Sequence, residues 1–292
     1  MSEAAASRGE VVLVAAEWRA RRSAHQARVA VMVEDRRARA LRGEKDPVED
    51  FLFTYYPFRL SARTRWSPGA GVALVDAEEL LADARFGTGP DGLIRLQPPD
   101  EVAAGRLRFS LELCRAVALR PAFLGCFGLH EWAMVYGRAA ERRHSEWPLR
   151  LGVEGTDAVV RAMPVRCTHY DAFRFFTPDA KPLNKLSPTL DGRIANEQPG
   201  CVHVTMDLYK WTMKAQPWVE AELAADALEL AAEARAVDMR ASPYDFSAVG
   251  LAPIRIETPE GRAEYEAAQR ALTKKAEPLR ARLMEALARA LA

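Results

Sequence analysis

Thr258-Pro-Glu-Gly-Arg-Ala-Glu-Tyr265-Glu-Ala-Ala-Gln-Arg-Ala-Leu-Thr-Lys-Lys-Ala-Glu-Pro278-Leu-Arg-Ala-Arg-Leu-Met284-Glu-Ala-Leu-Ala-Arg-Ala-Leu291 opens with a helix start signal. Thr258 stands where an N-cap hydroxyl accepts from the first turn. Pro259 takes the first helical position, and Glu260 faces the positive end of the helix dipole. The rest is rich in Ala, Leu, Glu, Lys and Arg, all good helix formers. Pro278 lacks an amide hydrogen and crowds the preceding turn, so it separates two helices, over about 258–275 and 277–291, or kinks them.

The same reading extends outward. Helices are predicted over about 218–238, 101–119 and 121–139, with Pro121 in the first turn of the last. That helix carries Phe123, Phe127, His130, Trp132 and Met134, nearly apolar all round, which places it centrally. Residues 9–43 read as one long Ala- and Arg-rich helix, either packed or an arm, ended by Gly43. The aromatic run from Val48 to Pro57 belongs in the interior. Residues 69–99 read as irregular, with a short helix over 77–84, and Thr156 to Ala162 as a short helix or an edge strand. Period-two alternation is scarce. The expected fold class is mainly α: a single helical domain over 1–292, with irregular Pro/Gly-rich loops and little sheet.

The 292 residues suffice for a substantial core, and the formal net charge of +1 gives no global attraction to nucleic acid or membranes. Charge is local instead. Arg19, Arg21, Arg22, Arg28, Arg36, Arg37, Arg39 and Arg42 form a basic stripe that either meets phosphate or solvates one helical face. Cys114, Cys126, Cys167 and Cys201 have no CxxC spacing, which excludes a zinc ribbon or a dithiol redox motif. The apolar run Val11–Ala16 meets Glu17 and Arg19 at once, unlike a signal peptide, and no run of about 20 apolar residues spans a membrane. A cytoplasmic protein with reduced thiols and no membrane partner is expected.

The densest chemistry lies between Cys167 and Trp211, in two clusters separated by prolines and glycines. This stretch holds two of the five histidines and two of the four cysteines. His203 and Asp207 share a face if a helix runs on from Val202; if it begins at Thr205, that residue is the N-cap and Asp207 serves the dipole. His169 and Asp171 share a side in extended chain, where the carboxylate orients the imidazole. Arg174 follows Asp171 at helical spacing and pairs with it if the chain is helical there. His169, Asp171, His203 and Asp207 are the catalytic candidates, with Tyr170, Arg174, Phe175, Tyr209, Lys210 and Trp211 as substrate contacts. His130 and Glu131 sit in the apolar helix and need partners if buried. With His169 and His203 they are the candidates for a metal held by imidazoles and carboxylates. The ExxH of Glu141–His144 reads as a solvated helix end, and Ser242-Pro-Tyr-Asp245 as a capping box with Pro at the first position.

The segments Glu49–Pro57, Leu129–Tyr136, His169–Pro178, Gln198–Cys201, Met206–Trp211 and Asp238–Asp245 together resemble an actinobacterial family of about this length, labelled 3-methyladenine DNA glycosylase. The resemblance runs from roughly Glu17 to Met284. It implies a base-excision repair hydrolase that binds DNA, flips an alkylated purine between aromatic rings and stabilises the sugar cation with Asp171 or Asp207, without a cofactor. The chain departs from known glycosylase signatures: it has no Leu-Pro-Gly hairpin followed by an Asp, and no terminal Cys/His zinc pattern. The residues taken alone support a different class, a divalent-metal oxygenase or hydrolase acting on a small molecule.

Overall fold

The computed structural model describes residues 9–46, 48–138, 141–142 and 144–292. It is mainly α: 57% helical, with eleven α-helices among the described residues and one small four-stranded sheet.

The expected 9–43 helix begins later. Val11–Leu13 is a strand, β1, and the helix α1 spans Ala15–Leu41. β1 pairs in parallel with β2 (Val72–Leu74), which pairs antiparallel with β4 (Ile94–Leu96), itself antiparallel to β3 (Phe86–Thr88). β1's partner lies about sixty residues away in sequence, so the local pattern does not reveal the pairing. Where an irregular 69–99 was expected, three of these strands surround a short 3-10 turn over Glu78–Ala82. The sheet closes over Trp18, Trp66 and Ala77. Trp18, His25, Val29 and Val33 form the buried stripe of α1, at helical intervals.

The aromatic run becomes α2 (Glu49–Tyr55), burying Leu52 and Phe53, with Tyr56 buried just beyond it; the short α3 (Leu60–Arg63) follows. α4 (Glu101–Ala118) starts as expected, with Asp100 Oδ1 accepting from Ala103 N at 2.7 Å. The long 121–139 helix does not form: only α5 (Leu129–Ala133) does. Phe127 (φ 49°) and Gly128 (φ 71°) take left-handed conformations in succession, which breaks any helix arriving from Pro121. A side chain at 128 would meet Ala241 Cβ at 3.1 Å, so glycine brings α5 and its His130 close to the end of α10.

α6 spans Gly152–Ala162, the helical alternative, followed by α7 (Tyr170–Phe173) and α8 (Arg193–Asn196). α9 (Val202–Lys214) and α10 (Ala221–Ala241) are the centre. α11 is one continuous helix, Pro259–Leu291, rather than two. Leu272 and Ala276 before Pro278, and Leu283 and Leu287 after it, are buried, so packing holds both halves in line across the lost hydrogen bond. Ser242 does not cap a helix. Its hydroxyl donates to Met239 O at 2.7 Å and accepts from Tyr244 N at 3.3 Å in a turn. No helix among the described residues is long and apolar enough to cross a membrane.

Every residue from Val202 to Met213 is buried. A helix enclosed on all sides is ordinarily apolar all round. α9 instead carries His203, Asp207 and Lys210 into the interior, where each needs a partner.

Candidate metal centre and buried ion-pair network

Thr205 is inside α9, its amide donating to Cys201 O at 3.1 Å, so the helix runs from Val202 and not from a Thr205 cap. His203, Asp207 and Lys210 therefore fall at i, i+4 and i+7 on one face. His169 is extended (φ −100°, ψ 118°) and is the last residue before α7, which holds Asp171 in its first turn. The expected extended Thr168–Asp171 run thus turns helical after His169. Asp171 and Arg174 then stand three apart, with Arg174 Nε 3.6 Å from Asp171 Oδ1, as helical spacing requires.

Donor atoms of His169, Asp171 and Asp207 lie within 4.8 Å of one another. Asp207 Oδ2 is 3.1 Å from His169 Nε2, and Oδ1 accepts from the Tyr56 hydroxyl at 2.9 Å. The Lys210 ammonium donates to Asp207 Oδ2 and, at 3.1 Å, to Asp171 Oδ2; the Arg193 guanidinium donates to the same Asp171 oxygen. Glu197, 1% exposed, approaches His169 Nε2 at 3.6 Å and Arg193 Nε at 3.8 Å, without a hydrogen bond at Oε1.

A second group lies beside the first. Donor atoms of His130, His203 and Asp238 also fall within 4.8 Å of one another, from α5, α9 and α10. Asp238 Oδ1 is 2.7 Å from His130 Nε2, and Oδ2 accepts from Arg235 Nη1 at 2.9 Å. Arg235 Nη1 also reaches Glu131 Oε1 at 2.8 Å, which supplies the partner a buried Glu131 requires. His203 joins the groups: its ring lies 4.5 Å from that of His130 and stacks at 5.2 Å on that of His169. His203 Nδ1 and His169 Nδ1 are buried without partners.

Electrostatics separates the three imidazoles. Burial works to lower the His130 pKa, but the Asp238 carboxylate overrides it and leaves the value well above ordinary. Burial and the neighbouring His130 push His203 well below, so it is neutral. Burial would raise Asp207 and Asp238, yet Lys210 and His169 hold the first, and His130 the second, below the usual carboxylate range. Glu197 is raised by burial.

A small void of about 10 Å³, room for no more than about one water, adjoins His130, lined among others by Cys126, Cys167, Cys201, Tyr265 and Gln269. Tyr265 and Gln269 are 0% and 1% exposed, and the Tyr265 hydroxyl and Gln269 Oε1 have no partner. The three thiols are buried and free; Cys126 Sγ lies 3.5 Å from His130 Nδ1.

The expected substrate contacts divide. Lys210 is in the network. Tyr209 is buried, accepting from Arg63 Nη1 at 2.5 Å, and Trp211 is buried edge-on to Phe109. Tyr170 is half-buried, with Arg193 5.9 Å from its ring; Arg174 and Phe175 stack on each other at the surface. Together they do not wall one slot. The N-terminal arginines are engaged with carboxylates of the chain: Arg28 with Asp226 and Glu229, Arg21 with Glu222, Arg22 with Glu79.

Sequence reasoning missed Asp238, Arg235, Arg193 and Tyr56 as members of the site. The Arg235/Asp238 pair, three apart in an otherwise Ala- and Leu-rich helix, was the available signal for two of them: such a pair on an enclosed helix must answer other buried charges. No known protein family, curated protein or solved structure matches the chain.

Proposed function

We propose that the protein is a metal-dependent enzyme acting on a small molecule, with one divalent cation held by His130, His203 and Asp238. The observation that carries the reading is the approach of these three donor atoms to within 4.8 Å, from three separate elements, in the interior. Ligands of one such ion stand about 2.0–2.2 Å from it, so their atoms lie about 3 Å apart; side-chain adjustments cover the difference. Two imidazoles and a carboxylate with open positions suit Fe(II) for oxygen chemistry or Zn(II) for hydrolysis. A bound cation takes the place of the proton shared by His130 and Asp238.

The surroundings support this. Arg235 fixes Asp238 from the oxygen turned away from His130, and Cys126 sits at His130 Nδ1. Within the ion-paired network, five carboxylates (Glu131, Asp171, Glu197, Asp207, Asp238) face four cations (Lys210, Arg193, Arg235 and, at the surface, Arg174). The void beside His130 has room for about one water-sized ligand, to which Tyr265 and Gln269 offer a hydroxyl and a carbonyl. His169 is the proton acceptor in this reading. Asp207, held ionised, accepts a hydrogen bond from Nε2–H, which leaves the lone pair at Nδ1.

The DNA N-glycosylase implied by the resemblance is the second reading. Its supporting observation is the buried, ionised Asp207 beside Tyr56, a carboxylate suited to an oxocarbenium ion; it requires no metal. Elemental analysis after loading with Fe(II), Mn(II) or Zn(II) decides between the two. About one tightly held ion per chain, lost in His203→Ala and Asp238→Ala, supports the metal centre. No retained ion, with release of 3-methyladenine from alkylated DNA in excess chelator and its loss in Asp207→Asn, supports the glycosylase.

A further inference from the structure

We infer that His169, Asp171 and Asp207 form a second divalent-cation position, held closed by the chain's own Lys210, so that the protein takes one metal ion rather than two. The inference deepens the proposed metal centre and shares its interior, yet the role of Lys210 is testable apart from it.

The two ligand groups are alike in donor chemistry and differ in what already occupies them. Around His169, the Lys210 ammonium bonds to oxygens of both carboxylates of the group, Asp171 and Asp207, and so lies where a shared cation would be held. Around His130 no ammonium does this. Arg235 touches Asp238 alone, on the oxygen turned away from His130, and shares itself with Glu131 outside the group. Lys210 is itself 8% exposed, enclosed on α9, and its reach to Asp207 is set by their three-residue spacing.

Charge reinforces the geometry. Asp171, Asp207 and Glu197 face Lys210 and Arg193, with Arg174 reaching Asp171 from the surface. Adding a divalent ion beside Lys210 would leave a buried net positive charge. Removing the ammonium leaves the carboxylates in excess, a net negative charge that a divalent ion can take up. Glu197 Oε1, buried without a hydrogen-bond partner and 3.6 Å from His169 Nε2, is a further oxygen donor beside this position.

The test counts Mn(II) or Zn(II) per chain in the wild type, Lys210→Met, Lys210→Arg and Asp207→Asn. The expected result is one ion in the wild type and in Lys210→Arg, and two in Lys210→Met. The Lys210→Met melting temperature should fall without metal and recover when Mn(II) or Zn(II) is added. Two ions in the wild type, or no extra ion in Lys210→Met, overturns the inference. If Lys210→Met is insoluble, Asp207→Asn decides: an unchanged ion count supports Lys210 as the resident cation, and loss of an ion refutes it. A wild type with none and a Lys210→Met variant with one would keep this inference and sink the His130/His203/Asp238 centre. One ion in both would do the reverse.

Discussion

Replacing Asp238 with alanine tests the interior network and the metal centre together. Asp238 is 0% exposed and accepts from His130 Nε2 at 2.7 Å and Arg235 Nη1 at 2.9 Å. Its loss leaves His130 without its carboxylate and Arg235 with Glu131 alone, both still buried. Breaking one partner out of a buried ion pair typically costs about 3–5 kcal/mol, a large part of the roughly 5–15 kcal/mol that separates folded from unfolded domains. In metal-free buffer the urea midpoint should therefore drop by that free energy divided by the slope, with the slope itself unchanged. A saturating cation adds a second readout. At one hundred times its dissociation constant it stabilises the wild type by about 2.7 kcal/mol, and it should do nothing for Asp238→Ala. A loss below about 1 kcal/mol, the range of an exposed pair, would refute the energetic account of the network. An equal metal-induced shift in wild type and variant would refute Asp238 as a ligand.

Tyr56→Phe removes a buried donor to Asp207 and should lower stability by about 1.5–3 kcal/mol, measured by urea titration. For acid sensitivity, Asp207 and Asp238 have folded-state pKa values below those of the unfolded chain. Their contribution is complete above the ordinary carboxylate pKa of about 4 and is lost as pH falls below it. The urea midpoint should accordingly decline from pH 5 toward pH 3, less steeply in Asp238→Asn; equal slopes would refute the assignment. Gly261→Ala would place a Cβ 1.9 Å from the Arg255 carbonyl, and should destabilise by at least about 2 kcal/mol in thermal melts, because backbone meets backbone there. Arg28→Ala breaks only exposed pairs with Asp226 and Glu229, so its melting temperature should stay close to wild type.

The sequence by itself determined the helical class and the residues able to do chemistry. Local signals fully specify the Thr258-Pro259-Glu260 start of α11 and the Asp100 cap of α4, because a cap and its acceptors lie within one turn. His169 and Asp207 were both legible as catalytic candidates, and their meeting at 3.1 Å joins two segments that flank one loop. What crosses the chain was decided by tertiary structure alone. The Val11–Leu13 strand depends on Val72–Leu74, and the end of the expected 121–139 helix depends on Gly128 fitting against Ala241. Pro278 passes inside one helix because neighbours pack both of its halves. The same holds for the site. Asp238 has no partner visible in the sequence until α5 brings His130 to 2.7 Å from it, and Lys210, read as a substrate contact, is instead tied up within the chain because α7 brings Asp171 beside Asp207. A carboxylate's chemistry belongs to its residue type, but its charge state, partners and access come from groups more than a hundred residues away in the chain for Asp238, and only folding sets those.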